Sequence, residues 1–103
     1  MEIIETSVFQ KQVDETLTFD EYMEFQNYLV NNPEKGDVIQ GTGGARKIRF
    51  ALSGKGKSGG IRIIYFYKIM YEKIYLLFLY KKNAQSNLTA SQKTALYNII
   101  KDL

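Results

Sequence analysis

Two kinds of group that can grip a phosphate gather in the middle of this chain. Lys55 and Lys57 stand in a glycine-rich segment at residues 54–60, Arg62 follows it, and Lys81 and Lys82 close a later apolar run. Ammonium groups on a pliable backbone can close around an anion. A guanidinium adds two parallel hydrogen bonds to phosphate oxygens, which lysine cannot reproduce. Arg46, Lys47 and Arg49 lie on a run just before the loop and extend the positive surface. Taken singly, these features have bland readings: a Lys-Gly-Lys tip is often a solvated hairpin, and Arg46–Arg49 an exposed sheet face. Their convergence is what argues for a site.

The charge is sharply polarised. Residues 1–37 hold nine acids against two lysines, whereas residues 38–103 hold twelve bases against two acids, Glu72 and Asp102. The formal net charge of +3 hides this split. A block so basic holds polyanions by charge alone, and phosphate backbones are the usual partner of such a patch on a folded domain. The acidic first third argues against a membrane-coating or purely polybasic protein and for one anion-binding face.

Composition removes several chemistries. The chain has no cysteine and no histidine, which excludes disulfides, thiolate metal sites, cysteine nucleophiles and every Ser-His triad. The carboxylates form no convincing catalytic pair, because most fall on outward faces of the first helices. Neither a metal nor a cofactor is expected. The apolar run at 74–80 is far too short to span a bilayer, and the acidic start Met-Glu-Ile-Ile-Glu does not suit a signal peptide. The expectation is therefore one domain over residues 1–103, in the cytoplasm of a prokaryote and without a membrane partner.

Ala51-Leu-Ser-Gly-Lys-Gly-Lys-Ser58 invites comparison with a nucleotide-binding P-loop, since it ends in Gly-Lys-Ser. The leading glycine is replaced by Ala51, and a strand pattern follows where a helix should cradle phosphate. Nucleotide hydrolysis is therefore disfavoured.

The elements that must position these groups can be read from the pattern. Residues 2–5 form a short strand and residues 7–15 a helix with Val8, Phe9 and Val13. Thr18-Phe-Asp-Glu21 is a capping box opening a second helix, with Phe19, Tyr22, Met23, Gln26, Leu29 and Val30 on its apolar face and Phe25 at the edge. Asn31-Asn32-Pro33 ends it, and the two helices make a hairpin. After the turn Gly41-Thr-Gly-Gly44, residues 46–52 alternate as a strand. Residues 61–67 and 73–80 read as antiparallel central strands about a turn at 68–72, with Lys82 near Arg62. Tyr65, Tyr67, Tyr75 and Tyr80 read as core or rim rather than base-stacking platforms. Thr89-Ala-Ser-Gln92 opens a last helix with Ala95, Leu96, Ile99, Ile100 and Leu103 on one face. The predicted class is α+β: a helical hairpin packed on a small twisted antiparallel sheet, followed by a C-terminal helix.

Several segments, in matching order, carry a family resemblance. Gly36-Asp-Val-Ile-Gln-Gly-Thr-Gly-Gly44, Arg46-Lys-Ile-Arg49, Gly54-Lys-Gly-Lys-Ser-Gly-Gly60, Arg62-Ile-Ile-Tyr65 and Leu88-Thr-Ala-Ser-Gln-Lys93 resemble the HigB branch of the RelE-type toxins of toxin–antitoxin modules. The resemblance implies a ribosome-dependent endoribonuclease that cuts mRNA in the A site, with the ribosome, mRNA and a cognate helix-turn-helix antitoxin as partners. It implies a toxin that is monomeric when free. By position it matches Lys55 and Lys57 to the basic central loop, Arg62 to the arginine of the next strand and Lys82, or Lys81, to a later arginine, so that Lys57, Arg62 and Lys82 are the expected catalytic residues; Lys55 and Lys81, with Arg46, Lys47 and Arg49 of the positive surface, are the expected RNA or ribosome contacts. Relatives that use a late tyrosine carry it near the position of Asn87-Leu-Thr89, where this chain has none. Two rivals share the sequence features: a ParE-type gyrase poison on the same scaffold, and a non-catalytic RNA-binding module. The basic loop with Arg62 disfavours the first, and the absence of histidine and of the late tyrosine favours the second.

Overall fold

A computed structural model describes residues 1–51 and 60–103. The described elements, in chain order, are β1 (Glu2–Glu5), α1 (Ser7–Thr16), α2 (Phe19–Asn31), β2 (Asp37–Val38), β3 (Arg46–Phe50), β4 (Ile61–Lys68), β5 (Lys73–Lys81) and α3 (Ala90–Ile100). Both predicted capping boxes form. Thr18 accepts from the Glu21 amide while Glu21 reaches back to Thr18, and Thr89 and Gln92 do the same at α3. Each such cap stabilises its helix by about 1 kcal/mol. A single 3-10 turn at Ile69–Tyr71, closed by Glu72 in the left-handed conformation, joins β4 to β5.

The α+β class agrees with the sequence, but the sheet is mixed rather than antiparallel. Its order is β1-β5-β4-β3-β2, with β1 parallel to β5 and the other neighbours antiparallel. After β1 the chain runs through α1 and α2 and re-enters at the far edge as β2, whose two residues are too short to show a pattern. The meander β2-β3-β4-β5 then brings β5 back alongside β1, pointing the same way. Nothing in Glu-Ile-Ile-Glu reports that direction.

Helices cover both faces. On one, Phe9 and Val13 of α1 and Phe25 and Leu29 of α2 pack on Ile48, Ile61, Ile63, Tyr65, Ile74, Leu76 and Leu79. On the other, Leu96 and Ile100 of α3 pack on Ala45, Ile64, Leu77 and Tyr80. The buried face of α2 is rotated from the one read in the sequence. Phe25, placed at the edge, is fully buried and meets Phe50 edge-on at 5.2 Å, while Phe19 is 77% exposed and Met23 and Val30 also face outward. Leading the helix with an aromatic at its first position invited the wrong stripe; that position precedes the turn that touches the sheet.

A β-bulge at Leu77 governs the middle of the sheet. From Lys68↔Lys73 to Tyr65↔Leu76 the β4–β5 register is regular, then it slips by one, so that Ile64 faces Phe78. The slip falls where β1 has ended and the outer edge of β5 needs new partners. The Thr6 hydroxyl donates to the carbonyls of Leu76 and Leu77 (3.1 and 3.3 Å), and Gln12 of α1 accepts from the Leu79 amide at 2.7 Å. These contacts satisfy backbone groups that no strand reaches.

The α2–β2 connection is held from below. Buried Tyr65 accepts from the Gly36 amide (3.0 Å) and donates to the Pro33 carbonyl (2.8 Å). The Arg46 guanidinium donates to the carbonyls of Glu34 and Gly36 at 3.1 and 2.9 Å.

Candidate active site

Arg49, Arg62, Lys81 and Lys82 lie at one end of the sheet, near the start of β4. In the β3–β4 and β4–β5 registers, Arg49 lies opposite Arg62, and Arg62 lies opposite Tyr80. The three side chains therefore form one row across three strands, on the face that α3 covers further along. Arg49 is exposed, whereas Arg62 is 6% and Tyr80 5% exposed. The Arg62 guanidinium donates to the carbonyl of Ile61 (3.4 Å). Two arginines directly opposite each other repel, and burying one of them adds a desolvation cost.

The acids of the second half stand away from this row. Glu72 closes the far turn of the hairpin. The C-terminal segment that carries Asp102 is tied by the Leu103 carbonyl to the Lys68 ammonium, at the other end of β4. Arg62 and Lys68 are six residues apart on that strand, roughly 20 Å. Asp14, Glu15, Asp20 and Glu24 are exposed on α1 and α2, the helices of the opposite face.

The other residues singled out in the sequence take different places. Lys82 follows the end of β5 and is exposed, with its amide directed to the Gly60 carbonyl at 3.5 Å, so it shares one end of the sheet with Arg62. Lys81 pairs in register with Ile61 and is exposed. Lys47 lies on the arginine face, one row further from that end, and faces Asp37 across β2–β3. Arg46 alternates to the helical-hairpin face and holds the backbone at Glu34 and Gly36, a structural engagement that the sequence does not reveal. Lys55 and Lys57 lie outside the described residues.

Tyr80 is the residue that sequence reasoning left out of the site. Among the described residues its hydroxyl is buried without a hydrogen-bond partner. Leaving such a group unpaired costs about 1–3 kcal/mol. Burial holds the hydroxyl above the ordinary tyrosine range, and the positive charge of Arg62 draws it partway back. Burial is the larger effect and favours a neutral O–H beside the guanidinium. A regular hairpin about the 69–71 turn would set Leu79, not Tyr80, opposite Arg62. The bulge supplies the extra residue that brings Tyr80 into the row, and re-aiming a side chain is a recurrent use of bulges.

Gly60 sets the approach to Arg62. It has φ +65°, and a Cβ there would come within 2.4 Å of the Phe50 carbonyl oxygen. Gly60→Ala is expected to destabilise the fold by about 2–3 kcal/mol, from the left-handed backbone and the close contact together. Because Phe50 pairs with Ile61, the same change should displace Arg62. Urea unfolding checks this; a midpoint equal to that of the unsubstituted protein would contradict it.

The arrangement is a row of two arginines and a buried tyrosine, without histidine, at one end of a mixed sheet with helices on both faces. Residues 1–103 match the family described as the RelE toxin of the RelE / RelB toxin–antitoxin system, and the chain belongs to that family. It is thus a toxin of the RelE type, from a family whose members are generally endoribonucleases.

Proposed function

We propose that this RelE-family toxin is a ribosome-dependent endoribonuclease of the HigB branch, cutting mRNA in the ribosomal A site. The observation that carries the reading is the Arg49–Arg62 row, a buried guanidinium beside an exposed one at one end of the sheet. A gyrase poison has no need of such a grip.

In this reading the substrate supplies its own nucleophile. The 2′-oxygen attacks the adjacent phosphorus, the P–O5′ bond breaks, and a 2′,3′-cyclic phosphate and a 5′-hydroxyl result. The 2′-hydroxyl proton passes to water or to a ribosomal RNA group in the A site. Lys82 or Lys57 protonates the leaving 5′-oxygen. Arg62 holds two phosphate oxygens and stabilises the charge that builds on them. A lysine serving as base would first have to lose its own proton, which from an ordinary pKa near 10.4 costs about 4–5 kcal/mol at pH 7. Charge stabilisation and in-line geometry therefore supply the larger share of the acceleration. Lys55, Lys81, Lys47 and Arg49 contact RNA of the message or ribosome. A cognate helix-turn-helix antitoxin holds the toxin, a cytoplasmic monomer when free, in check.

Lys57→Ala and Lys82→Ala are each expected to slow cleavage roughly 10- to 100-fold, as loss of a general acid does. Single-turnover rates on ribosomes measure this, and unchanged rates in both variants would move the site elsewhere. The function itself is tested by inducing the protein in bacteria and following labelled methionine and thymidine. Protein synthesis should stop within minutes, ahead of DNA synthesis. A DNA-damage response with translation intact would favour the gyrase poison, and normal growth a non-catalytic binding module.

A further inference from the structure

We infer that Tyr80 is a catalytic hydrogen-bond donor: its hydroxyl donates to a non-bridging oxygen of the scissile phosphate held by Arg62. This assignment rests on the cleavage reading above, and three observations carry it.

The first is an orphan. Among the described residues the Tyr80 hydroxyl is buried with no partner, whereas the other tyrosine buried among them, Tyr65, is bonded to Pro33 and Gly36. A buried donor kept without a protein partner is expected to find one in a ligand.

The second is position. Tyr80 lies directly opposite Arg62, and Arg62 opposite Arg49, so a phosphate bound by the buried guanidinium lies beside the tyrosine. The third is the cause of that position. The bulge at Leu77 adds the residue that exchanges Leu79 for Tyr80 in this row. The Tyr80 ring is also packed against Phe78, with centroids 5.9 Å apart, which fixes the direction of the hydroxyl before any substrate arrives.

The role is donation rather than proton abstraction. Burial raises the hydroxyl pKa, so the group is a neutral donor at physiological pH. No proton need move: the O–H···O bond shortens as charge accumulates on the phosphoryl oxygens and lengthens on product release. A preorganised donor of this kind acts on the transition state more than on substrate binding.

Tyr80→Phe removes only the oxygen, and two assays read the result. In single-turnover cleavage of mRNA on programmed ribosomes, the rate at saturation is expected to fall roughly 10- to 100-fold with ribosome affinity little changed. In binding of a uridine–vanadate complex, which presents the equatorial oxygens of the transition state, affinity should fall roughly tenfold. The melting temperature should be equal or higher, because an unpaired hydroxyl has been replaced by hydrogen. An unchanged cleavage rate overturns the assignment. So does a lowered melting temperature, which would mean that the hydroxyl serves the fold. If the unsubstituted protein fails to cleave while the vanadate difference persists, the proposed function falls and the Tyr80 contact stands. Equal vanadate affinities in a protein that does not cleave overturn both.

Discussion

Arg62→Ala should reduce mRNA cleavage by about a thousandfold or more and abolish growth arrest, leaving the fold intact. One preorganised donor to a developing oxyanion contributes about 10²–10³ in rate, and Arg62 offers two from a nearly enclosed position. Enclosure strengthens the effect, since little water remains to screen the charge. The fold should survive because Arg62 faces Arg49, and removing one member of a like-charge pair relieves repulsion that offsets the lost packing. Arg62→Lys should recover little activity: it retains the charge but loses the planar fork. Growth curves, cleavage rates and thermal melts of the two variants check this together. A fully toxic Arg62→Ala protein would sink the assignment of the site.

Phe25→Ala should have the largest effect on stability, about 3–5 kcal/mol. Phe25 is fully buried where α2 meets the sheet, and its ring abuts Phe50. A domain of this size is stabilised by about 5–15 kcal/mol in all, so the loss would leave the variant partly unfolded near 37 °C. Function should fall with it, because Phe50 pairs with Ile61, the neighbour of Arg62. Phe19→Ala is the control. Phe19 is 77% exposed, and its truncation should change stability by about 0.5 kcal/mol or less. Urea unfolding of the pair distinguishes the observed helix face from the one the apolar pattern suggested. Equal midpoints would place the core elsewhere.

That contrast shows where sequence reasoning succeeds and where it stops. Caps are local, so Thr18–Glu21 and Thr89–Gln92 were legible from residue type and spacing alone. The β4–β5 hairpin was legible because two β-branched and aromatic runs flank a short turn. The apolar face of α2 was not, since Phe19, Met23 and Val30 satisfy helical periodicity as well as Phe25 does. Only the sheet decides between them. The parallel pairing of β1 depends on the path of the whole chain and leaves no mark on four residues.

Within the candidate site, Arg62 stood out because a guanidinium follows a basic glycine loop. Lys82 could be brought near it by counting around the turn. Tyr80 could not, because the count fails by one at Leu77. A bulge has no residue signature here: Leu76-Leu77-Phe78 reads as continuous strand. Thr6 and Gln12, which bond the backbone of β5 about that point, lie some seventy residues away in sequence. Arg46 has a second engagement that the sequence hides. Its charge suggested RNA, while the carbonyls it holds, at Glu34 and Gly36, carry no sequence signal.

The central claim is that this basic row cuts RNA on the ribosome, and mapping of 5′ ends in a purified translation system tests it most directly. Messages are incubated with the toxin, with and without ribosomes, beside Arg62→Ala. Cuts are expected only in the codon in the A site, with 5′-hydroxyl ends, and none without ribosomes or with Arg62→Ala. Cuts in free RNA, or cuts that persist with Arg62→Ala, would contradict it.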